Sequence, residues 1–235
     1  WQDATNTHGL WRRTTMDSYV TDTPDWDIIL DLDALSEAEG KNWVWRGANC
    51  LGPDYEHCMV TLSDGGSDAA VRREFSISAR DFVAGGFETP EAKGGVSWID
   101  ADTLMVGLAT NEADTTDSGY PSVAYRWERG TSLSDATEVV RGDRSDVGLF
   151  TFRAEDFDGT VYMMASQAVT FYDTTWWHLP AGAAPVQLPL PAKSSIQDIF
   201  HGQLVFTIEE DWAPVEGGAS FAQGSLLSFD VAEWV

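Results

Sequence analysis

The feature of the sequence that most restricts its fold is a regular alternation of short apolar runs with turn-forming residues. The runs are rich in aromatic and β-branched residues, which favour strands. Between them, Asp64-Gly65-Gly66, Asp158-Gly159 and His201-Gly202 supply the positive φ angles that tight turns need. Only residues 32–39 have a helical pattern, and Gly40 would end that helix. We therefore predict an all-β chain, with strands at 10–16, 27–32, 42–49, 58–62, 70–76, 82–83, 96–99, 103–109, 122–127, 138–140, 148–152, 160–165, 175–179, 186–188, 196–200, 203–208 and 225–231.

These strands fall into groups that begin near Trp43, Val96, Val147 and Ile196, which gives a period of about 50 residues. Such a period with four strands per group is typical of propeller blades. A pair of sandwiches or a β-solenoid would also fit the spacing, and no Gly-His…Trp-Asp blade motif is present. The spacing favours a β-propeller of four-stranded antiparallel blades. Its innermost strands would be those that open each group, at 43–49, 96–99, 148–152 and 196–200.

Tryptophans in these strands could stack on sugars or bases, or they could fill the space between blades. Because neighbouring blades of a propeller pack face to face, we predict the packing role for Trp43, Trp45, Trp98, Trp127, Trp176 and Trp177.

The charge of the chain limits its partners. Acidic residues outnumber basic ones 38 to 14, which gives a net charge of −24 over 235 residues. Such a surface repels phosphates, so we expect no nucleic-acid partner. The sequence contains no run of 18 apolar residues, so we also expect no membrane partner. A cationic partner remains compatible with this charge.

Two cysteines, Cys50 and Cys58, flank a turn-rich link between two predicted strands. They could face each other across the hairpin and form a disulfide, or they could be two buried thiols in a reducing compartment. With only two cysteines, the sequence does not fix the redox compartment.

Motifs for catalysis are missing. The nearest matches to the Gly-x-Ser-x-Gly elbow surround Ser67 and Ser220, but both lack the final Gly and neither precedes a helix. The four histidines do not have metal-ligand spacing, and His57 and Cys58, as strand neighbours, would point to opposite faces. Residues 156–159 are better explained as a hairpin turn than as a calcium loop. We predict no catalytic, metal-binding or cofactor-binding residue in this chain.

Several segments resemble the propeller domain of the prolyl oligopeptidase family, in a bacterial branch. They are Gly9-Leu10-Trp11-Arg12-Arg13-Thr14-Thr15, Asp31-Leu32-Asp33-Ala34-Leu35, Asn42-Trp43-Val44-Trp45, Leu62-Ser63-Asp64-Gly65-Gly66-Ser67-Asp68-Ala69, Arg73-Glu74-Phe75, Pro90-Glu91-Ala92-Lys93, Ser97-Trp98-Ile99-Asp100-Ala101-Asp102-Thr103-Leu104 and Asp117-Ser118-Gly119-Tyr120-Pro121. The resemblance is ordered along the chain and becomes weaker after about residue 145.

The resemblance implies a seven-bladed propeller that caps an α/β-hydrolase domain and admits only short peptides. In the family, the nucleophile, acid and base lie in the hydrolase domain, which follows the propeller in sequence. The chain would then be a single propeller segment, residues 1–235, with four to five of the seven blades. Its parts would be the last three strands of blade 1 at 1–40, blade 2 at 41–92, blade 3 at 93–143, blade 4 at 144–192 and part of blade 5 at 193–235. The start at Trp1, without an initiator Met or a leader, favours a piece of a longer protein.

Three functions remain open. The first is the non-catalytic propeller portion of a serine peptidase, with the parent's hydrolase domain and short peptides as partners, in the cytoplasm or periplasm of a bacterium. The second is a free-standing propeller that binds a peptide or a carbohydrate. The third is a glycosidase-type propeller with its own carboxylate pair, although acids such as Glu209-Glu210-Asp211 are more simply solvated loop charge.

Overall fold

The structure is a computed structural model that describes residues 1–215 and 217–233. It contains 17 short strands and two α-helices, α1 (Met16–Tyr19) and α2 (Leu32–Glu39). The strands are β1 (Leu10–Arg13), β2 (Asp27–Asp31), β3 (Trp43–Cys50), β4 (His57–Asp64), β5 (Val71–Ser76), β6 (Asp81–Phe82), β7 (Gly94–Asp100), β8 (Thr103–Leu108), β9 (Val123–Glu128), β10 (Thr137–Arg141), β11 (Gly148–Glu155), β12 (Val161–Ala168), β13 (Thr174–His178), β14 (Val186–Gln187), β15 (Ser194–Phe200), β16 (Gln203–Ile208) and β17 (Leu226–Asp230). The predicted all-β fold is confirmed.

The strands form five antiparallel sheets in which each strand is hydrogen-bonded to its neighbour in the chain. Strands β3 to β6, β7 to β10 and β11 to β14 each make a four-stranded sheet. The first sheet contains β1 and β2, and the last contains β15 to β17. This consecutive order is the one that propeller blades have.

Both α-helices are capped by their own sequence. Helix α2 begins after Asp31, whose carboxylate accepts the N–H of Ala34, and it ends at Gly40 in the left-handed conformation, with a φ of 63°. The sequence predicted this helix but not α1. The predicted strand 10–16 ends early, at Arg13, because the Thr15 hydroxyl accepts the N–H of Ser18 and caps α1.

The chain divides into two compact units, residues 1–92 and residues 93–235. The core of the first unit combines β2, the start of α2 and the sheet of β3 to β6. Its buried side chains are Ile29, Leu30, Leu32, Trp43, Val60, Leu62 and Phe75.

In the second unit, the sheet of β11 to β14 is covered on both faces. Met163 and Met164 are adjacent on β12 and therefore point to opposite sides. Met163 packs with Met105 of β8, whereas Met164 packs with Leu204 of β16. The middle sheet of this unit is thus buried between its two neighbours, as a propeller blade is.

The strands that open consecutive sheets of the second unit are close to one another. The Ser97 hydroxyl on β7 donates a hydrogen bond to the carbonyl of Thr151 on β11, at 3.1 Å. Strand β11 also contacts β15. Opening strands that lie side by side agree with an innermost position, which stays a prediction.

Candidate functional site

The two serines of the incomplete elbow motifs lie in loops. Ser67 follows the β4 turn, and its hydroxyl donates to the carbonyl of Ala69 at 2.9 Å. Ser220 is exposed between β16 and β17. Within residues 1–215 and 217–233, neither serine has a hydrogen bond to a histidine. Neither of these two hydroxyls is therefore activated by a histidine, as the nucleophile of acyl transfer is.

Each of the four histidines has different surroundings in the structure. Nδ1 of His8 donates to the carbonyl of Trp43 at 2.8 Å, and Nδ1 of His57 is 2.9 Å from the buried carboxylate of Glu74. His178 is buried on β13, and burial lowers its pKa. His201 lies in the turn between β15 and β16. Among the described residues, no three His, Cys, Asp or Glu side chains form a group that could hold a metal ion.

The two cysteines lie directly opposite each other on β3 and β4. Cys50 pairs with Cys58 in the strand register, and the two sulfurs form a disulfide. Because its sulfur is bonded, Cys58 is not a thiol nucleophile beside His57.

The six tryptophans that were predicted to fill the space between blades differ in how deeply they are buried. Trp43, Trp98 and Trp127 are buried, and Trp45, Trp176 and Trp177 are half-buried. The two adjacent indoles also have hydrogen bonds, Trp176 to the Ser194 hydroxyl at 3.1 Å and Trp177 to Oε1 of Gln167 at 3.0 Å. The three buried rings, Trp43, Trp98 and Trp127, serve packing, as predicted.

The turn at residues 156–160 joins two hairpins. The buried carboxylate of Asp156 accepts the backbone N–H groups of Phe157, His201 and Gly202, each at 2.6 Å. These bonds connect the β11–β12 hairpin to the β15–β16 hairpin. The local sequence predicts only a turn here, because the second role depends on partners 45 and 46 residues away. The sequence did contain one signal for this contact. The two turns occupy the same position in consecutive groups of strands, because each joins the first strand of its group to the second.

Three aromatic rings project from these hairpins into solvent, and we call them the hairpin aromatic cluster: Phe157, Phe200 and His201. The two phenylalanines are 75% and 56% exposed. The ring of His201 lies 4.8 Å from that of Phe157 and 4.4 Å from that of Phe200, between centroids. His201 has a φ of 51°, a left-handed conformation that is uncommon for residues other than glycine. Exposed aromatic rings in a fixed arrangement are suited to contact another molecule.

Carboxylates near the end of the chain bind backbone groups. Oδ1 of Asp211 accepts the N–H of Gln223 at 2.8 Å, and Oε1 of Glu210 accepts that of Lys193 at 3.4 Å. These acids stabilise loops, so the described contacts do not support a glycosidase pair here.

Comparison with known proteins identifies the family. The model of the prolyl oligopeptidase N-terminal β-propeller domain matches residues 1–206. The chain belongs to the prolyl oligopeptidase family. Its sheets are blades of this propeller domain, as the sequence resemblance implied.

Two curated relatives of this prolyl oligopeptidase propeller are bacterial. It is 40% identical over 235 residues to an uncharacterized peptidase of Sinorhizobium fredii, covering 98% of this chain and 32% of the relative. It is 27% identical over 225 residues to an uncharacterized peptidase of Rickettsia prowazekii, covering 90% of this chain and 31% of the relative. The chain thus spans about a third of the length of the curated relatives that it matches.

Solved structures give the same result. A post-proline cleaving enzyme from Rickettsia typhi matches all of this chain with a TM-score of 0.91 at 26% identity, over 35% of its own length. Oligopeptidase B from Leishmania major matches 86% of this chain with a TM-score of 0.56 at 16% identity, over 28% of its own length. The second likeness concerns the fold alone.

No helix in the described part of the propeller is long and apolar enough to cross a lipid bilayer.

Proposed function

We propose that this propeller is the non-catalytic portion of a prolyl-oligopeptidase-like serine peptidase, where it restricts the access of short peptides to a hydrolase domain outside these 235 residues. The family match over residues 1–206 carries the proposal. Two further observations support it. The chain spans about a third of the length of its relatives, and in the described residues Ser67 and Ser220 have no histidine partner.

We assign the sheets to blades by the bounds expected from the sequence: the remainder of blade 1 at 1–40, blade 2 at 41–92, blade 3 at 93–143, blade 4 at 144–192 and part of blade 5 at 193–235. The burial of the β11–β14 sheet on both faces supports a stack of blades in the second unit. A stack of closely packed blades leaves little space for a folded protein to reach a site beneath it.

The test uses the full-length peptidase and substrates that share one cleavage sequence. The substrates are peptides of increasing length and a folded protein with the same sequence in a surface loop. Since the propeller would exclude large substrates, we expect kcat/KM to fall steeply with length and the folded protein to stay intact. A subtilisin-type peptidase, whose site is open, serves as the control that the loop can be cut. Comparable kcat/KM for the short peptide and the folded protein would contradict the proposal.

A second candidate is a free-standing propeller that binds a peptide or a carbohydrate, which the hairpin aromatic cluster favours because its rings are exposed and rigidly held. The open reading frame of the parent distinguishes the two functions. A Gly-x-Ser-x-Gly stretch downstream of Val235 supports the peptidase, and a stop codon directly after Val235 supports the free-standing module.

A further inference from the structure

A cavity in the unit of residues 1–92 combines a cation with aromatic side chains. Its volume is about 650 Å³. Small-molecule sites in proteins typically measure about 300–1,000 Å³ and are mainly apolar. The side chains that matter for its chemistry are Arg12, His8, Trp1, Trp11, Trp26 and Trp45. The cavity is therefore large enough for a small organic ligand with an apolar body.

Arg12 is restrained by two indole rings. Its guanidinium carbon lies 4.3 Å from the ring centroid of Trp1 and 4.1 Å from that of Trp26. At these distances a guanidinium is attracted to the π-electrons of the rings. Ring contacts do not replace N–H···O hydrogen bonds, so the donors of Arg12 still require acceptors.

No oxygen atom supplies these acceptors within the described ranges 1–215 and 217–233. Arg12 is half-buried, yet its side chain has neither a hydrogen bond nor an ion pair there. Nearby cations are paired: Arg13 lies 3.2 Å from Asp27, and Lys41 lies 2.9 Å from Asp64. In a chain with 38 acidic and 14 basic residues, a half-buried guanidinium without a carboxylate indicates a place for an external anion.

The side chains around Arg12 are already fixed in position. Nε1 of Trp1 donates to Asp3 at 3.1 Å, and Trp26 makes an edge-on contact with Tyr19 at 6.2 Å between centroids. Nδ1 of His8 donates a hydrogen bond to the Trp43 carbonyl at 2.8 Å. A ligand would thus enter a preformed site, which reduces the entropy lost on binding.

On the apolar side of the cavity, Trp11 and Trp45 are in contact, with their ring centroids 5.1 Å apart. Trp11 also contacts Phe75, a buried residue of the first core. Indole surfaces of this kind contact apolar or aromatic groups favourably. The cavity therefore offers one guanidinium for an anionic group and indole surfaces for the rest of the ligand.

We propose that this cavity binds the carboxylate of a small ligand whose remaining part is apolar or aromatic. The guanidinium of Arg12 donates two parallel N–H groups to the carboxylate oxygens, the geometry for which arginine is suited. The indoles contact the apolar part. The C-terminus of a peptide and a free apolar amino acid share this chemistry. The site does not depend on the peptidase role proposed above.

The test is isothermal titration calorimetry of the full chain with N-acetyl-L-phenylalanine and with its amide, which lacks the carboxylate charge. We expect the acid to bind with a Kd of about 0.1–1 mM and the amide at least about tenfold more weakly. Tighter binding of N-acetyl-L-phenylalanine than of free phenylalanine would assign the site to peptide C-termini. Tighter binding of free phenylalanine would assign it to the amino acid.

Variants separate the site from general charge effects. Arg12→Gln should weaken binding of the acid at least about tenfold. Arg46→Gln, which removes an exposed arginine of the same unit, should leave binding unchanged. Trp26→Leu keeps the guanidinium and should weaken binding, and it serves as the second variant if Arg12→Gln fails to fold. Equal affinity for acid and amide, full affinity in Arg12→Gln, or binding of neither compound would overturn the proposal.

Discussion

The carboxylate of Asp156 accepts the backbone N–H of Gly202 at 2.6 Å, although the two residues are 46 positions apart in the chain. The same carboxylate accepts the N–H groups of Phe157 and His201. One buried side chain therefore satisfies the backbone donors of two turns in adjacent sheets and fixes their relative position.

Replacing Asp156 should loosen both hairpins. Burial opposes ionisation, but the N–H groups of Gly202, Phe157 and His201 hold the pKa of Asp156 below its ordinary value. In Asp156→Asn, an NH₂ group would face backbone donors, so we expect a lower midpoint of thermal unfolding and faster amide exchange at Gly202. Asp158→Asn, with the same charge change in the exposed turn, is the control and should have the smaller effect. Equal midpoints for the two variants would show that the long-range bonds are unimportant.

Glu56 should contribute to the acid stability of the chain. Its carboxylate accepts hydrogen bonds from the hydroxyls of Ser76 and Ser78 and the N–H of Ser78, which lower its pKa from 4.5 to about 2. Because the unfolded chain binds the proton more readily, this contribution is present above about pH 4.5 and is lost as the pH falls towards 2. Urea unfolding midpoints of Glu56→Gln should therefore depend less on pH across this window than those of the parent chain. If the unfolding midpoints of the variant and the parent chain changed equally with pH, this role of Glu56 would be contradicted.

Two adjacent glycines on β7 should differ sharply in their tolerance of alanine. Gly94 has a φ of 116°, and a Cβ there would overlap the carbonyl oxygen of Gly107. Gly95 has no atom within 4 Å of such a Cβ. We expect Gly94→Ala to lower the free energy of unfolding by at least about 2 kcal/mol, measured by chemical denaturation. Gly95→Ala is the matched control and should change it by well under about 1 kcal/mol. A similar loss of unfolding free energy in both variants would contradict this prediction, because it would show that β7 accepts alanine at neither position.

The Cys50–Cys58 disulfide should stabilise the β3–β4 hairpin. With a sequence separation of 8, loop closure in the unfolded chain suggests a contribution of about 2.5 kcal/mol. Purified under non-reducing conditions, the denatured chain should show no reactive thiol until it is reduced. The Cys50→Ser, Cys58→Ser double variant should then match the stability of the reduced chain. A free-thiol signal before reduction would be inconsistent with the bond.

Local features of the fold were accessible from the sequence. Alternating apolar residues and Asp-Gly turns predicted the strand positions, because a strand's pattern and its turn lie within one short segment. Helix α2 was predictable for the same reason, since Asp31 and Gly40 are adjacent to its ends. Helix α1 is only four residues long and has no buried residue, so it gave no periodic signal.

Features that depend on the register between strands could not be predicted from the sequence. The pairing of β3 with β4 shifts by one residue between Trp45 and Gly47. Without that bulge, Cys50 would lie opposite His57 instead of Cys58. The sequence therefore left open whether the two cysteines form a disulfide or remain separate thiols. The role of Asp156 and the surroundings of Arg12 were missed because both depend on residues from different strands.

The consecutive pairing of strands also affects how the chain can be made. Every strand of a sheet finds its partner in the segment that has just preceded it, so no strand waits for a sequence that the ribosome has not yet produced. Short separations between pairing segments speed folding, because little loop entropy is lost before contacts form. Each sheet could therefore assemble as soon as its own stretch emerges during synthesis. The nascent chain would then expose only its most recent apolar face to aggregation.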